Sequence, residues 1–125
     1  MNNEQARKFV EAVYADIWSG KNVSKFDDYY AKTLISVAYL PTKEIEMDYE
    51  ACKKLAYDGA ENRYKVDTDF EVVIGQNNII TAKYKQRSVN RHTNEVSVFR
   101  TAFQYALENN KITKCWAISN SDWNM

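Results

Sequence analysis

Tyrosine hydroxyls are abundant in this sequence and could take part in chemistry. The chain of 125 residues contains nine Tyr, five Phe and three Trp, but one His and two Cys. Aromatic side chains bury large apolar areas while keeping a polar tip, so they suit a core, a pocket wall or an interface equally well. Acid–base catalysis needs a group within hydrogen-bond reach of the substrate. Here that group would be a tyrosine hydroxyl or a residue that the sequence does not identify.

No motif for a metal or a nucleotide cofactor is present in the sequence. The three glycines are too far apart to form a glycine-rich phosphate loop. One histidine and two distant cysteines make a poor zinc set. Asp67, Asp69 and Glu71 are spaced like calcium ligands, but the alternation of their segment places them on the exposed face of a strand. We therefore expect neither a metal site nor a cofactor.

The charge pattern argues against a nucleic-acid partner. Seventeen basic residues balance seventeen acidic ones, and no basic tract stands out. No apolar run approaches the roughly 20 residues that a membrane-spanning helix needs. The first residues lack the basic start and apolar stretch of a signal peptide. Cys52 and Cys115 are therefore interpreted as reduced thiols in a cytoplasmic protein.

The first half of the chain has helical periodicity. Apolar residues recur at three- and four-residue steps from Ala6 to Trp18, which predicts one helix over residues 3–19. Asn2 and Gln5, at its start, have the spacing of a capping box. Gly20 follows the last apolar position and is expected to end the helix.

Three further elements are expected before the middle of the chain. Asn22 is placed to cap a second, shorter helix. The apolar run 34–40 is rich in residues that favour strands and is followed by Pro41, so it predicts a strand. Asp48 begins a third helix, over about residues 48–63.

Residues 66–74 and 80–87 alternate with the period of a strand and predict a hairpin. A three-residue loop over residues 76–78 would satisfy both faces at once. On one face it pairs the acidic residues with basic ones; on the other it pairs apolar residues. The predicted pairs are Glu71 with Lys83, Asp69 with Lys85, Asp67 with Arg87, Phe70 with Tyr84, Val72 with Ala82 and Ile74 with Ile80.

Two more strands complete the expected fold. One carries Phe99, Phe103 and Tyr105 on a single face, and the last runs over about residues 112–119. Helices followed by strands joined by tight turns indicate the α+β class, with an antiparallel sheet and the helices on one of its faces. The sequence shows no linker or repeat, so we expect one domain over residues 1–125.

This order of elements resembles the nuclear transport factor 2-like superfamily, and most of all its SnoaL-like branch of polyketide cyclases and ketosteroid isomerase relatives. Three segments carry the resemblance: the helix pair 9–31 with its interruption at 19–22, the third helix running into 66–72, and the tail 103–116. Asn110 stands where the tail of the family usually has glycine. The resemblance implies a curved antiparallel sheet that forms a cone around the N-terminal helices. It also implies an apolar pocket open at one end, and homodimers that pair across the outer sheet face.

The acids of the steroid isomerases have no counterparts in this chain. Their base is an aspartate on the strand after helix two, where this sequence has residues 35–40 and no acid. Their second acid lies near the position of Phe103, again with no acid here. The acid that often follows the final tryptophan is replaced by Asn120 or displaced to Asp122. The resemblance therefore disfavours steroid-isomerase chemistry and leaves the catalytic residues unknown.

Seven aromatic residues are expected to line the pocket, although each also suits simple core packing: Tyr14, Trp18, Tyr30, Tyr84, Phe103, Tyr105 and Trp116. Phe103 and Trp116 face each other if residues 109–110 form a two-residue turn, and could then stack on a planar ligand. A bulge at this turn would instead place Cys115 and Ala117 on the inner wall.

Two functions follow from this interpretation. The first is the binding of a small apolar molecule in a cone-shaped pocket, with isomerase, cyclase or lyase-type activity left open. The alternative is a non-enzymatic dimeric adaptor, whose apolar outer sheet face is covered by a partner. Val89, Val98 and Ala102 alternate toward that face and make the alternative reasonable.

Overall fold

The computed structural model describes residues 1–123, which form one curved, unclosed sheet with helices against its inner face. Helix α1 spans Asn3–Val13 and continues as a π-helix over Tyr14–Trp18. A 3₁₀ turn at Val23–Lys25 leads into the short α2, Phe26–Tyr29, and α3 spans Tyr49–Asn62. None of the helices in this part of the chain is long and apolar enough to cross a membrane.

Six strands form the sheet in the order β2-β1-β6-β5-β4-β3. Their bounds are β1 Tyr30–Tyr39, β2 Glu44–Asp48, β3 Arg63–Gln76, β4 Ile79–Asn90, β5 Val96–Glu108 and β6 Lys111–Ser119. Strands β1 and β6 run parallel, and the other neighbours are antiparallel. The predicted α+β cone around N-terminal helices is confirmed.

Local signals in the sequence explain where the two long helices begin. The Asn2 side chain accepts a hydrogen bond from the backbone N–H of Gln5, and the Gln5 side chain accepts one from that of Asn2. This reciprocal pair satisfies two N–H groups that the first turn of a helix leaves unpaired. Asp48 caps α3 with a single hydrogen bond, which its side chain accepts from the N–H of Ala51. Both predicted helix starts are thus confirmed.

A glycine on β3 allows α1 to lie against the sheet. A Cβ added at Gly75 would lie 2.7 Å from the Asn2 carbonyl oxygen and 2.8 Å from the Ala6 Cβ. Heavy atoms in folded proteins do not approach so closely, so a side chain here would push α1 outward. The Gly75 N–H also donates to the Asn3 side chain at 2.9 Å. This contact fixes the start of the helix that carries Tyr14 and Trp18.

Strand β2 and the turn of the hairpin differ from the prediction. The short strand β2 was not predicted. The hairpin of β3 and β4 has the predicted pairs Asp67–Arg87, Asp69–Lys85 and Phe70–Tyr84, but its turn has two residues, 77–78, rather than three. The difference is absorbed by Glu71, which has no partner in the register and forms a bulge. As a result, Val73 and not Val72 pairs with Ala82 and is buried.

We predict that Gly75→Ala lowers the free energy of unfolding by about 1–3 kcal/mol, because the added methyl group overpacks the contact with α1. Urea denaturation followed by circular dichroism measures the change. Gln76→Ala, on the exposed neighbour, serves as the control and should change stability by less than about 0.5 kcal/mol. Equal stability of the two variants would contradict the close approach of α1 to β3.

Candidate ligand cavity

A cavity of about 90 Å³ lies between the inner face of the sheet, the π-helix and α3. Buried tyrosines and Phe103 form its deep part. Its other end, here called the mouth, is lined by half-buried residues: Arg63, Ser97, Phe99, Ser121 and Trp123. The strand register brings these residues to the same end of the sheet, because Ser88 pairs with Ser97 and Thr101 pairs with Ser119.

The π-helix gives the cavity two of its wall residues. The N–H of Ser19 donates to the carbonyl of Tyr14, five residues earlier, at 2.9 Å. One turn of the helix is therefore wider than an α-helical turn, as in the π-bulges that often occur at functional sites. Tyr14 and Trp18, the first and last residues of this segment, both line the cavity. Apolar spacing alone predicted the helix but not its change of pitch.

Hydrogen bonds connect the polar tips of the deep wall. The Trp18 indole Nε1–H donates to the Tyr30 hydroxyl at 2.9 Å, and this hydroxyl lies 3.3 Å from that of Tyr105. The Tyr14 ring packs near Tyr84, with 4.9 Å between the ring centroids. The hydroxyls of Tyr84 and Tyr105 interact with that of Tyr14 closely enough to affect its pKa. Four tyrosines thus gather their hydroxyls around one space.

Burial keeps these hydroxyls protonated. Loss of contact with water raises the pKa of Tyr14, Tyr30 and Tyr105 well above the usual value for tyrosine, and raises that of Tyr84 as well. At neutral pH the hydroxyls therefore act as neutral hydrogen-bonding groups and not as bases. They can form hydrogen bonds with a carbonyl or hydroxyl group of a ligand.

The thiols in the wall are also neutral. Burial raises the pKa of Cys52 and of Cys115 to about 12. Because the thiolate is the nucleophilic form, neither cysteine is activated for covalent chemistry. Among residues 1–123, no group of three or more His, Cys, Asp or Glu side chains is arranged to hold a metal ion.

Arg63 is the one charged residue among the described residues that line the cavity. That part of the wall contains no Asp, Glu or His. The exposed carboxylate of Asp122, considered from the resemblance as a displaced acid, accepts hydrogen bonds from Thr42 at 3.0 Å and 2.6 Å and is not among the lining residues. The described residues of the wall therefore offer binding groups but no Asp, Glu or His side chain that could act as a base.

Six of the seven predicted pocket residues surround the cavity: Tyr14, Trp18, Tyr30, Tyr84, Phe103 and Tyr105. Trp116 does not. It lies on the outer face of the sheet, 42% exposed, and pairs with Gln104. Phe103 faces Ala117 and not Trp116.

A bulge in β6 is the reason for this difference. Residues 109–110 do form a two-residue turn, with positive φ at both. Leu107 then pairs with Ile112 but Ala106 pairs with Lys114, so Thr113 is an extra residue. One extra residue exchanges the two faces of the rest of the strand. Cys115 and Ala117 consequently line the cavity, as expected for a bulge, although it lies at Thr113 and not within the turn.

Sequence reasoning missed most of the mouth. Trp123 lies there, with its indole N–H donating to the Ser119 hydroxyl at 3.1 Å. Arg63 follows directly after α3, where a basic residue is usually explained by the helix dipole. The inward alternation of β4 and β5 was visible in the sequence and could have indicated Gln86 and Thr101, which are buried polar residues of the wall.

Several solved structures share this architecture. A proposed polyketide cyclase from Acidithiobacillus ferrooxidans is similar, with a TM-score of 0.72 and 15% identity over 91% of this chain and 87% of that one. A proposed SnoaL-like polyketide cyclase from Jannaschia sp. CCS1 has a TM-score of 0.73 and 8% identity over 94% and 86%. An LEH-like epoxide hydrolase from M. tuberculosis has a TM-score of 0.74 and 9% identity over 94% and 84%.

The chain therefore has the α+β cone of the nuclear transport factor 2-like fold. The resemblance found in the sequence is confirmed at the level of the fold. No protein-family model matches the sequence, and no curated protein matches it significantly. Because the identities to these structures are between 8% and 15%, they establish the fold and not an activity.

We predict that Cys52 and Cys115 react very slowly with Ellman's reagent in the folded protein at pH 8. A pKa of about 12 leaves about one thiol in 10⁴ ionised at this pH, against roughly a quarter for an exposed cysteine of pKa near 8.5. Absorbance at 412 nm follows the reaction. The same protein in guanidinium chloride is the control and should release two equivalents at once. Rapid reaction of either thiol in the folded protein would show that the cavity wall is open at that position.

Proposed function

We propose that this protein binds a small, mainly apolar molecule in the cavity of the cone and holds a polar group of that molecule with tyrosine hydroxyls. The observation that carries the proposal is the convergence of four buried tyrosines on one cavity. A fully packed core would have left no such space. Apolar walls with a few placed polar groups are the usual composition of small-molecule sites.

The size of the cavity limits the ligand. An apolar cavity of about 150 Å³ is enough to accept benzene, and the volume here is about 90 Å³. A ligand with more than one ring would therefore extend toward the mouth or displace wall side chains. Trp123 and Phe99, both half-buried at the mouth, would then contact its outer part.

Binding without acid–base catalysis agrees best with the groups in the wall. The isomerase, cyclase or lyase activity considered from the sequence would require a group that accepts a proton near neutral pH. The tyrosine hydroxyls have raised pKa values, and the described wall has no carboxylate or imidazole. The activities in the names of the structural neighbours are for this reason not transferred to the chain.

We propose that the protein is cytoplasmic, and its two free cysteines support this location.

The test uses 2-naphthol as a probe with one hydroxyl on an apolar frame. We expect isothermal titration calorimetry to detect saturable binding, and Tyr14→Phe to weaken it about 3- to 10-fold, the effect of one neutral hydrogen bond. Tyr57→Phe, on the exposed side of α3, is the matched control and should leave the affinity unchanged. Equal affinities for the two variants, or no saturable binding to the wild type, would reject the proposal.

A second proposal concerns the outer face of the sheet, which we infer to be the contact between two copies of the chain. Val37 pairs with Trp116, and Tyr39 pairs with Ile118, which in turn pairs with Ala102. The register therefore joins apolar side chains of β1, β6 and β5 into one patch. Tyr39, Trp116 and Ile118 are 38%, 42% and 48% exposed. Patches of this kind mark protein interfaces, and a second copy offers a self-complementary surface.

Val89 does not belong to this patch, although the sequence suggested it, because it is buried. Val98 and Ala102 do face outward: Val98 is 53% exposed, and Ala102 is half-buried. The non-enzymatic adaptor role remains the alternative use of the same face. The presence of a cavity in the cone favours ligand binding over a purely adaptor role.

We expect sedimentation equilibrium to give twice the 14.6 kDa mass of the chain for the wild type. Ile118→Lys should shift the equilibrium to monomer, because it buries a charge in the centre of the patch. Val72→Lys is the matched control on β3, at 44% exposure and outside the patch, and should stay dimeric. A monomeric wild type at high concentration would exclude the homodimer.

A further inference from the structure

The hydroxyl groups of the deep wall begin at a group that can only donate a hydrogen bond. The indole Nε1–H of Trp18 donates to the Tyr30 hydroxyl at 2.9 Å, and an indole nitrogen has no lone pair with which to accept. Tyr30 is 3% exposed, and its hydroxyl lies 3.3 Å from that of Tyr105. The proton of the indole therefore fixes one end of this group of hydroxyls.

The other end is a group that can only accept. The Ser119 hydroxyl donates to the backbone carbonyl of Arg100 at 3.2 Å, and the Thr101 hydroxyl donates to that of Ser119 at 2.9 Å. Thr101 and Ser119 are both buried. Because a hydroxyl has a single proton, Thr101, which lines the cavity, can only accept hydrogen bonds on its cavity side.

Tyr14 and Tyr84 connect the two ends. The Tyr14 hydroxyl interacts with those of Tyr105 and Tyr84, and the Tyr84 hydroxyl interacts with that of Thr101. One series thus runs from the Trp18 indole to the Arg100 carbonyl through the hydroxyls of Tyr30, Tyr105, Tyr14, Tyr84, Thr101 and Ser119. It has as many protons as links, so every link is satisfied only when all protons point toward the carbonyl. The tyrosines then present lone pairs, and not protons, to the cavity.

Two further wall residues direct N–H groups away from the cavity. The Trp123 indole N–H donates to the Ser119 hydroxyl at 3.1 Å, and the Gln86 side-chain nitrogen donates to the Thr68 hydroxyl at 3.1 Å. Both residues line the cavity. These donors are used within the protein, which adds to the excess of acceptor atoms that the series presents to a ligand.

We propose that the polar group of the ligand is a hydrogen-bond donor, a hydroxyl or an N–H group, which donates to tyrosine oxygens in the deep part of the cavity. The inference rests on the proposed ligand-binding function and narrows its ligand class. A donor adds one hydrogen bond to the intact series. A ligand whose only polar atom is a carbonyl or ether oxygen takes a proton from one link, so it breaks one hydrogen bond for each that it forms.

The first experiment compares two probes of the same shape on the wild-type protein: indole, whose ring N–H only donates, and benzofuran, whose ring oxygen only accepts. Calorimetric titration should show indole binding about three- to tenfold more tightly, the effect of one neutral hydrogen bond. Apolar burial alone would favour benzofuran, the less polar probe, so it does not produce this order.

The outcomes separate this inference from the proposed function. Equal affinities, tighter binding of benzofuran, or no binding of indole by a protein that binds 2-naphthol would overturn the donor inference and leave the proposed binding function standing. Absence of binding for all three compounds would reject the proposed function and this inference with it.

The second experiment tests the direction of the series. Thr101→Val removes the acceptor that follows Tyr84 and keeps the shape of the side chain, so the Tyr84 proton is free to point into the cavity. Benzofuran binding should strengthen, and the preference for indole should fall to less than about twofold. Thr81→Val makes the same change on the exposed face of β4 and should leave the preference unchanged. An unchanged preference in Thr101→Val, or an equal change in both variants, would overturn the directed series. Thermal unfolding checks that each variant is folded.

Discussion

The cavity exists because one extra residue sits in β6. Side chains of a strand alternate between the two faces of a sheet, so the unpaired Thr113 decides the direction of every later residue of β6. With the bulge, the small side chains of Cys115 and Ala117 form the inner wall and the indole of Trp116 points outward. Without it, the indole would occupy the space that the cavity now takes. The same residue therefore provides an empty interior and an apolar outer face.

A second bulge has a similar effect on the opposite side of the sheet. Glu71 has no partner on β4, so the inward positions of β3 shift from Val72 to Val73 and then to Gly75. Only glycine leaves room for α1 at that inward position. Because α1 leads directly into the π-helix, the contact at Gly75 also fixes the height at which Tyr14 enters the cone. The two bulges together set the wall of the cavity and the helix that closes it.

Periodicity in the sequence was sufficient for the long elements but not for these single residues. The apolar stripe of α1, the Asp48 cap of α3 and the charge pairs far from the hairpin turn were all predicted, because each depends on a repeating or local pattern. Six pocket aromatics followed from the same patterns and the resemblance. A bulge leaves no signal in the composition, and the bulge at Thr113 places Trp116 on the outer face of the sheet instead of the predicted inner face. Arg63 was missed because a basic residue after a helix has a sufficient explanation in the helix dipole.

The chemistry of the cavity follows from its side chains more than from its fold. The three structures compared above share between 8% and 15% of their residues with this chain, so the common fold does not fix the chemistry of the cavity. In the described part of this wall the acidic groups are absent, the tyrosines and cysteines are neutral because they are buried, and the single charge is positive. The described residues of this space can therefore hold the polar group of a ligand through neutral hydroxyls. The proposed binding of a small, mainly apolar molecule therefore rests on the side chains of the site, independently of the activities attributed to its structural neighbours.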